Sequence, residues 1–514
     1  MYGKVYGACL YGVEGQIIDV EVDISNGLPQ LNIVGLPDSA VRESIERVRA
    51  AIKNCGAEYP MRRITVNLAP ADLRKEGASF DLAIAAGILT TSGQWRIHDA
   101  DRTLMIGELS LDGSLRPVPG VLSMVDAAKR RGLRRVLLPA QNAAEARLID
   151  GMEIFGLRHL SDLERLADGS FRDDEPNATS LPSPASGEYA ASASEDYADV
   201  SGQHHAKRAL MIAAAGMHNI ILIGPPGSGK TMLIRRLPTI LPPLSDEEAL
   251  EVTKIYSAAG KIAGRAKLMR ERPFRSPHHT VSAGGLVGAG TVPKPGEVSL
   301  AHRGVLFLDE LPEFPRHVLE VLRQPLEDRC VTIARAKAIF TFPAHFILAA
   351  SMNPCPCGYL GSETESSGCT CSPLQIRQYR AKLSGPLIDR IDLHVEVPRV
   401  DYDTIARARE NISSADMRRK IDAARSAQEE RYAQYGIRFN GELSGRLLRD
   451  VCRIGREAQR LLQRSFEALG LSVRAHDRIL KIARTIADLE QSERILTEHV
   501  AEAIQYRSLD RKFF

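Results

Sequence analysis

The segment Gly224-Pro225-Pro226-Gly227-Ser228-Gly229-Lys230-Thr231 places glycines five residues apart ahead of a lysine and a hydroxyl, directly after the apolar run Asn219 to Ile223. Glycines so spaced let main-chain N–H groups close around a phosphate. The lysine adds a cation for the outer phosphates, and the threonine hydroxyl is a ligand for Mg²⁺. These eight residues read as a P-loop that holds ATP. At average residue frequencies the four fixed positions arise by chance roughly once or twice in a hundred chains of this length. The alternative, an ordinary Gly-rich turn, would make the flanking strand and helix patterns coincidental as well.

Downstream, Val305-Leu306-Phe307-Leu308 ends in Asp309-Glu310. Many strands end in acids, but after a P-loop this pairing reads as a Mg²⁺ ligand, Asp309, beside a water-polarising base, Glu310. A third apolar run, Phe346 to Ala350, leads to Asn353, placed to orient the attacking water or sense the γ-phosphate. The competing reading of Asn353 is an Asn-Pro turn.

Positioning these groups requires parallel strands that alternate with helices. Residues 1 to about 168 alternate strand-like runs (Gln16 to Val22, Arg63 to Leu68, Val136 to Leu138) with helical ones (Asp38 to Asn54, Val121 to Arg131), an α/β pattern. Residues 169–196 turn acidic and then rich in Ser, Ala and Pro, which reads as a linker. Residues 197–397 carry the nucleotide motifs on short β runs punctuated by Gly. Residues 398–514 are helix-compatible: Asp416 to Tyr435, Gly441 to Leu469, Ala475 to Leu489 and Leu496 to Leu509.

Cys355, Cys357, Cys369 and Cys371 put four sulfurs within seventeen residues, inside a Cys-rich loop from 355 to 371. Four thiolates suit tetrahedral Zn²⁺, although the one-residue spacers are tighter than common zinc loops; reduced thiols and redox pairing are the alternatives. The other cysteines are isolated.

With 514 residues the chain exceeds one core, and 44% hydrophobic with 25% charged content is ordinary for globular proteins. No apolar stretch approaches the ~20 residues of a membrane span, and no secretory signal opens the chain, so the expected setting is cytoplasmic with no membrane partner. A net charge of +3 is too near neutral to argue for nucleic acid by itself.

Pro277-His278-His279-Thr280, Gly296 to His302, Asp309 to Phe314, Arg323-Gln324-Pro325-Leu326-Glu327, Asn353-Pro354-Cys355-Pro356-Cys357-Gly358 and Leu383 to Arg390 fall in an order that resembles the magnesium-chelatase-like AAA+ proteins of the YifB/ComM family. The resemblance covers essentially the whole chain. It implies a homo-hexameric ring ATPase that uses ATP and Mg²⁺, moves on single-stranded and branched DNA, and promotes branch migration with recombination proteins during homologous recombination of incoming DNA. Arg390 then resembles the arginine finger that reaches a neighbour's ATP, and Arg474, in Ser472-Val473-Arg474, resembles the second sensor arginine of the helical lid. The pattern departs at Ser282-Ala283-Gly284-Gly285, which is more glycine-rich than usual, and at Ser351, where Ala is usual. Val331 to Phe342 reads as two β runs around a turn with Arg335 and Lys337. It resembles a hairpin that grips DNA backbone in the pore of related motors. The insert from His278 to Gly290 is a second candidate grip.

Lys75-Glu76-Gly77-Ala78-Ser79 resembles the segment bearing the nucleophilic serine of Lon-type proteases, so the first domain is expected to have a Lon-protease-like α/β fold. Where such an enzyme carries its lysine base, the segment Pro117 to Leu122 has Leu122. A serine without a base is a poor nucleophile. The expected fold class is therefore α/β: a Lon-protease-like domain, an AAA+ P-loop core and a C-terminal helical lid domain. The rival functions are the ATPase motor of a metal chelatase and an ATP-dependent protein remodeller.

Overall fold

The computed structural model describes residues 1–171, 195–262, 267–290, 293–335, 338–361, 368–400 and 411–507. Most of the acidic linker lies outside them.

In the N-terminal part, β1 (Tyr2–Tyr11) and β2 (Glu14–Ser25) form an antiparallel pair, closed by a turn at Gly12. β2 buries Ile18, Val20, Val22 and Ile24 and turns Asp19, Glu21 and Asp23 outward, the period-two pattern of a strand with one face on the core. With β3 (Gln30–Val34), β4 (Arg63–Ala69), β5 (Thr103–Met105), β8 (Arg135–Pro139) and β9 (Glu153–Leu157) they make a seven-stranded mixed sheet ordered β3-β4-β2-β1-β5-β8-β9; β6 (Glu108–Leu109) and β7 (Leu115–Arg116) form a small separate hairpin. The helix Ser39–Asn54 starts at Asp38, whose side chain accepts from Val41 N at 2.8 Å, and buries Val41, Ser44, Val48, Ala51 and Ile52 on one stripe. The helix Asp81–Thr91 is buried nearly all round against β1 and β2.

The second part holds β10 (Ile220–Ile223), β11 (Phe274–Arg275), β12 (Val305–Leu308), β15 (Ile347–Met352) and β16 (Leu393–Glu396), all parallel and ordered β11-β12-β15-β10-β16. β10, β12 and β15 are buried at every residue, as parallel strands covered on both faces must be. Alternate side chains go to different cores. Ile220, Leu222, Val305 and Phe307 pack with the C-terminal helices, whereas Ile221, Ile223, Leu306 and Leu308 pack with Val252, Ile255 and Leu319. Between β12 and β15 stands an antiparallel hairpin, β13 (Cys330–Arg335) and β14 (Ala338–Pro343).

The C-terminal part is helical: Ser414–Tyr432, Gly445–Val451, Arg456–Leu469, Val473–Leu489 and Thr497–Gln505. The stretch 441–469, expected as one helix, is two. Gly455 is extended (φ −71, ψ 166) and Ile454 bridges to Ile495, so a main-chain contact outside the helix interrupts the helical ladder where the sequence offers its poorest helix former. Asp392, just before β16, ties these helices to the sheet through Arg478 and accepts from Asn219 N at 2.9 Å. Those partners, led by the Arg478 charge working against the cost of burial, hold its carboxyl far below the ordinary range.

Candidate functional site

Because β12, β15 and β10 are neighbours and parallel, the segments leaving their C-terminal ends open side by side, where such sheets bind ligands. The loop after β10 carries Gly224 to Lys230. Gly227 and Gly229 take positive φ (76° and 87°), which aims main-chain N–H groups inward, and a Cβ on Gly224 would lie 2.1 Å from the Val397 carbonyl oxygen. Lys230 begins the following helix and is only 8% exposed. Its ammonium donates to the carbonyls of Gly224 and Pro225 at 2.8 Å each and to Asn353 Oδ1 at 3.2 Å. Desolvation lowers its pKa, against the opposing pull of Asp309 and Glu310. Burying a cation with carbonyl partners alone is costly, and an anionic phosphate is the ligand that would complete it.

Thr231 Oγ1 donates to Asp309 Oδ2 at 3.0 Å. Two oxygens on adjacent corners of a Mg²⁺ octahedron stand about 2.9 Å apart, so these atoms fit as neighbouring ligands. Glu310 is exposed and sits at φ 53°, an uncommon conformation for a non-glycine residue, with its N–H toward Asp309 Oδ1 (3.1 Å) and Ser351 Oγ (3.3 Å). Asn353 lies between the two acids and the P-loop because β15 lies between β12 and β10. Ser351, to which no role is assigned above, donates its hydroxyl to Asp309 Oδ1, which leaves Oδ2 to Thr231. The signal was the polar residue at a position where Ala is usual. Gln203 adds a brace for the P-loop: its amide donates to the Ser228 and Pro398 carbonyls at 3.4 and 2.7 Å.

The structure gathers the four cysteines. Cys355 Sγ is 3.3 Å from Cys357 Sγ and 3.7 Å from Cys369 Sγ, and all four sulfurs lie within 4.8 Å of one another. A Zn–S bond of about 2.3 Å in a tetrahedron requires sulfurs about 3.8 Å apart, so the donor set fits zinc. The loop abuts the P-loop: a Cβ on Gly358 would meet Pro226 Cδ at 2.6 Å.

Residues 196–405 match the family described as magnesium chelatase, subunit ChlI; residues 20–142 match subunit ChlI of Mg-chelatase, and residues 411–507 match its C-terminal region. Over 509 residues the chain is 44% identical to protein YifB of Salmonella typhimurium, covering 99% of this chain and 97% of that protein. It is 43% identical to the competence protein ComM of Haemophilus influenzae over the same length and the same shares. The chain belongs to the YifB/ComM family of magnesium-chelatase-like AAA+ ATPases. ATP and Mg²⁺ are the cofactors this family implies. The chain is also similar to Lon protease 2 of Bacillus subtilis, 29% identical over 174 residues, 30% of this chain and 31% of that one. Among the described residues no helix is long and apolar enough to cross a membrane.

Other expected residues fall away from the P-loop. Arg390 precedes β16, the parallel neighbour of β10, and so lies at the end of the strands opposite to the one the P-loop leaves. Its guanidinium donates to Glu327 and to the Pro386 carbonyl (2.7 Å), and its buried Nε has no partner among the described residues. Arg474, 59% exposed, reaches the same Glu327 at 4.0 Å. The two arginines therefore meet at one carboxylate and not at their own P-loop. Glu327 closes the segment Arg323 to Glu327, where nothing local signals this part. Arg335 is exposed at the end of β13; Lys337 lies outside the described residues.

Ser79 is 7% exposed and donates to the Ala8 carbonyl at 2.9 Å. Lys75 donates to carbonyls of Pro70 and Leu73, and Leu122 is fully buried. Among the described residues no acid, lysine or histidine hydrogen-bonds the Ser79 hydroxyl.

Proposed function

We propose that this protein couples ATP hydrolysis to movement on DNA and promotes branch migration while incoming DNA is recombined, as a cytoplasmic ring of six copies working with recombination proteins. The observation that carries the reading is the course of one strand. The β13–β14 hairpin with its basic end leads directly into β15, and β15 ends at Asn353 beside Lys230. A change at the phosphate end is thereby transmitted along a buried strand to an exposed basic hairpin. The relative named a competence protein supports the same process.

In this reading Lys230, Thr231 and Asp309 hold the nucleotide and its metal, Glu310 accepts the proton of the attacking water, and Asn353 orients that water. Mg²⁺, when bound, neutralises charge on the phosphates. Arg390 and Arg474, which meet at Glu327 away from their own P-loop, serve the nucleotide of an adjacent copy. Cys355, Cys357, Cys369 and Cys371 hold structural Zn²⁺.

The family description favours a second reading, the motor of a metal chelatase, and the Lon similarity a third, a protein remodeller. The experiment that separates them is ATP turnover with branched DNA, with porphyrin and its partner subunits, or with unfolded protein. Stimulation by DNA together with strand exchange supports the proposal; stimulation by either other substrate in the absence of a DNA effect overturns it.

A further inference from the structure

Among the described residues the N-terminal domain touches the ATPase core in two places. At the first, the β1–β2 turn lies on the hairpin: Tyr11 OH donates to the Ile339 carbonyl at 2.9 Å, and its ring stands 4.9 Å from that of Phe340. Gly12 (φ +69°) approaches so closely that a Cβ would be 3.3 Å from the Thr341 carbonyl oxygen, and Val13 is buried in the same apolar cluster as Ile333 and Phe340. At the second, the helix Val121–Arg130 lies on the core helix Asp246–Ala258. Gly120 N donates to the Ser257 carbonyl at 3.1 Å, and Lys254 pairs with Asp126 at 2.6 Å with both side chains nearly buried. Ser257 Oγ also donates to Glu145, which accepts from Leu122 N at 3.2 Å.

The two contacts are joined inside the domain. Ser123, on the helix that forms the second contact, donates to the Val13 carbonyl of the turn that forms the first, at 2.6 Å. A Cβ on Gly15 would lie 2.3 Å from the Ser123 carbonyl oxygen, so turn and helix are pressed backbone to backbone. On the core side, Tyr256 OH donates to the Leu300 carbonyl at 3.0 Å and Glu251 holds His302 at 3.3 Å, both just ahead of the strand that ends in Asp309 and Glu310. The segment Gly120 to Leu122, where a Lon-type protease would place its base, thus serves as a contact.

We propose that the N-terminal domain is a strut that sets the β13–β14 hairpin against the ATPase helix Asp246–Ala258, with Tyr11 as the positioning residue at the hairpin end. Its effect on DNA rests on the function proposed above. Closely packed, doubly anchored elements transmit displacement because interiors yield little. A strut anchored at only one end loses that property.

The test uses the full chain. In Tyr11→Ala, ATP turnover without DNA stays within about twofold, while the DNA-stimulated increment and branch migration fall by roughly three- to thirtyfold, the range of coupling changes from residues that touch neither ligand. Tyr11→Phe, which keeps the ring on Phe340, recovers most of the loss. Asp126→Ala, at the far end, gives the same loss, and the double variant is no worse than either single one, since one break already frees the strut. Hydrogen exchange of residues 330–343 rises in Tyr11→Ala. Wild-type stimulation in Tyr11→Ala, or additive losses in the double variant, would overturn the strut. If wild-type protein shows no DNA response the DNA reading fails instead, and hairpin exchange still decides: unchanged protection in Tyr11→Ala rejects the strut.

Discussion

The carboxamide of Asn219 donates to the main-chain carbonyl of Arg390 at 3.0 Å, pinning the arginine at the start of β10 while the P-loop leaves the other end of that strand. The four residues between span roughly 13 Å. Arg390 points away to Glu327. Chains with Arg390→Ala and chains with Lys230→Ala, each inactive alone, should therefore regain part of the ATPase when mixed, because some interfaces then join an intact P-loop to an intact arginine. Mixed rings with no recovery at any ratio would contradict a finger supplied by a neighbour.

Lys230→Ala and Glu310→Gln should each lower ATP turnover by at least about a hundredfold, the usual worth of a positioned general base or phosphate-binding cation. Thermal melting should change little, since Glu310 is exposed and the buried Lys230 ammonium, among the described residues, hydrogen-bonds only to carbonyl and amide oxygens. Glu310→Gln should still bind ATP, measured with a fluorescent analogue. Turnover near the wild-type rate would refute the assignment.

Metal analysis of protein purified without chelator should give about one zinc per chain, lost in Cys355→Ser with Cys357→Ser. Thiolate ligation contributes folding free energy locally, so this variant should also melt at lower temperature. Metal-free wild-type protein with the same melting temperature would reject the site.

Arg335→Ala with Lys337→Ala should keep basal ATPase and lose DNA stimulation. Each phosphate contact removed lowers the slope of log K against log salt by ~0.7 on single strands. An unchanged slope would move the grip to the His278 to Gly290 insert.

Acid should destabilise the fold in two stages. Burial and then the nearby Arg329, Arg303, His302 and Arg272 hold His345 well below its usual pKa, and burial lowers His302. A group depressed in the folded state contributes stability above its unfolded pKa, and that stability is lost as pH falls. The histidine stage should begin near the ordinary value of about 6.5. The carboxylate stage should follow below about 4.3, where the unfolded chain takes up protons that the fold keeps off Glu251, brought down to about 2 chiefly by its hydrogen bond with His302, and off Asp392. Melting temperatures measured from pH 8 to 3.5 in His345→Gln should lose part of the upper stage and keep the lower one. A wild-type profile flat between pH 7 and 5.5 would contradict it.

The nucleotide site was legible in the sequence because its parts are contiguous: Gly224 to Thr231 form one loop, and Asp309-Glu310 end one apolar run. Element types followed from periodicity, as in β2 and the helix Ser39–Asn54. What could not be read depends on chain meeting chain at long range. Tyr11 and Ile339 are 328 residues apart, and nothing local marks a tyrosine that will cap a hairpin. Glu327 gathers Arg390 and Arg474 from two separate elements, and the break at Gly455 required the distant partner Ile495. Ser351 was visible only as a departure, since whether a hydroxyl replaces a methyl group usefully depends on what faces it.

Gly358 leaves so little room beside Pro226 that the cysteine loop and the phosphate loop share a wall. Two ligands that bind on either side of a shared wall obey reciprocity. If occupancy of the cysteines changes the affinity for nucleotide by some factor, nucleotide must change the affinity for the metal by the same factor. Cellular conditions that strip or oxidise those thiols would then be felt as a change in the ATP concentration at which the protein turns over, without any alteration to the residues that touch ATP.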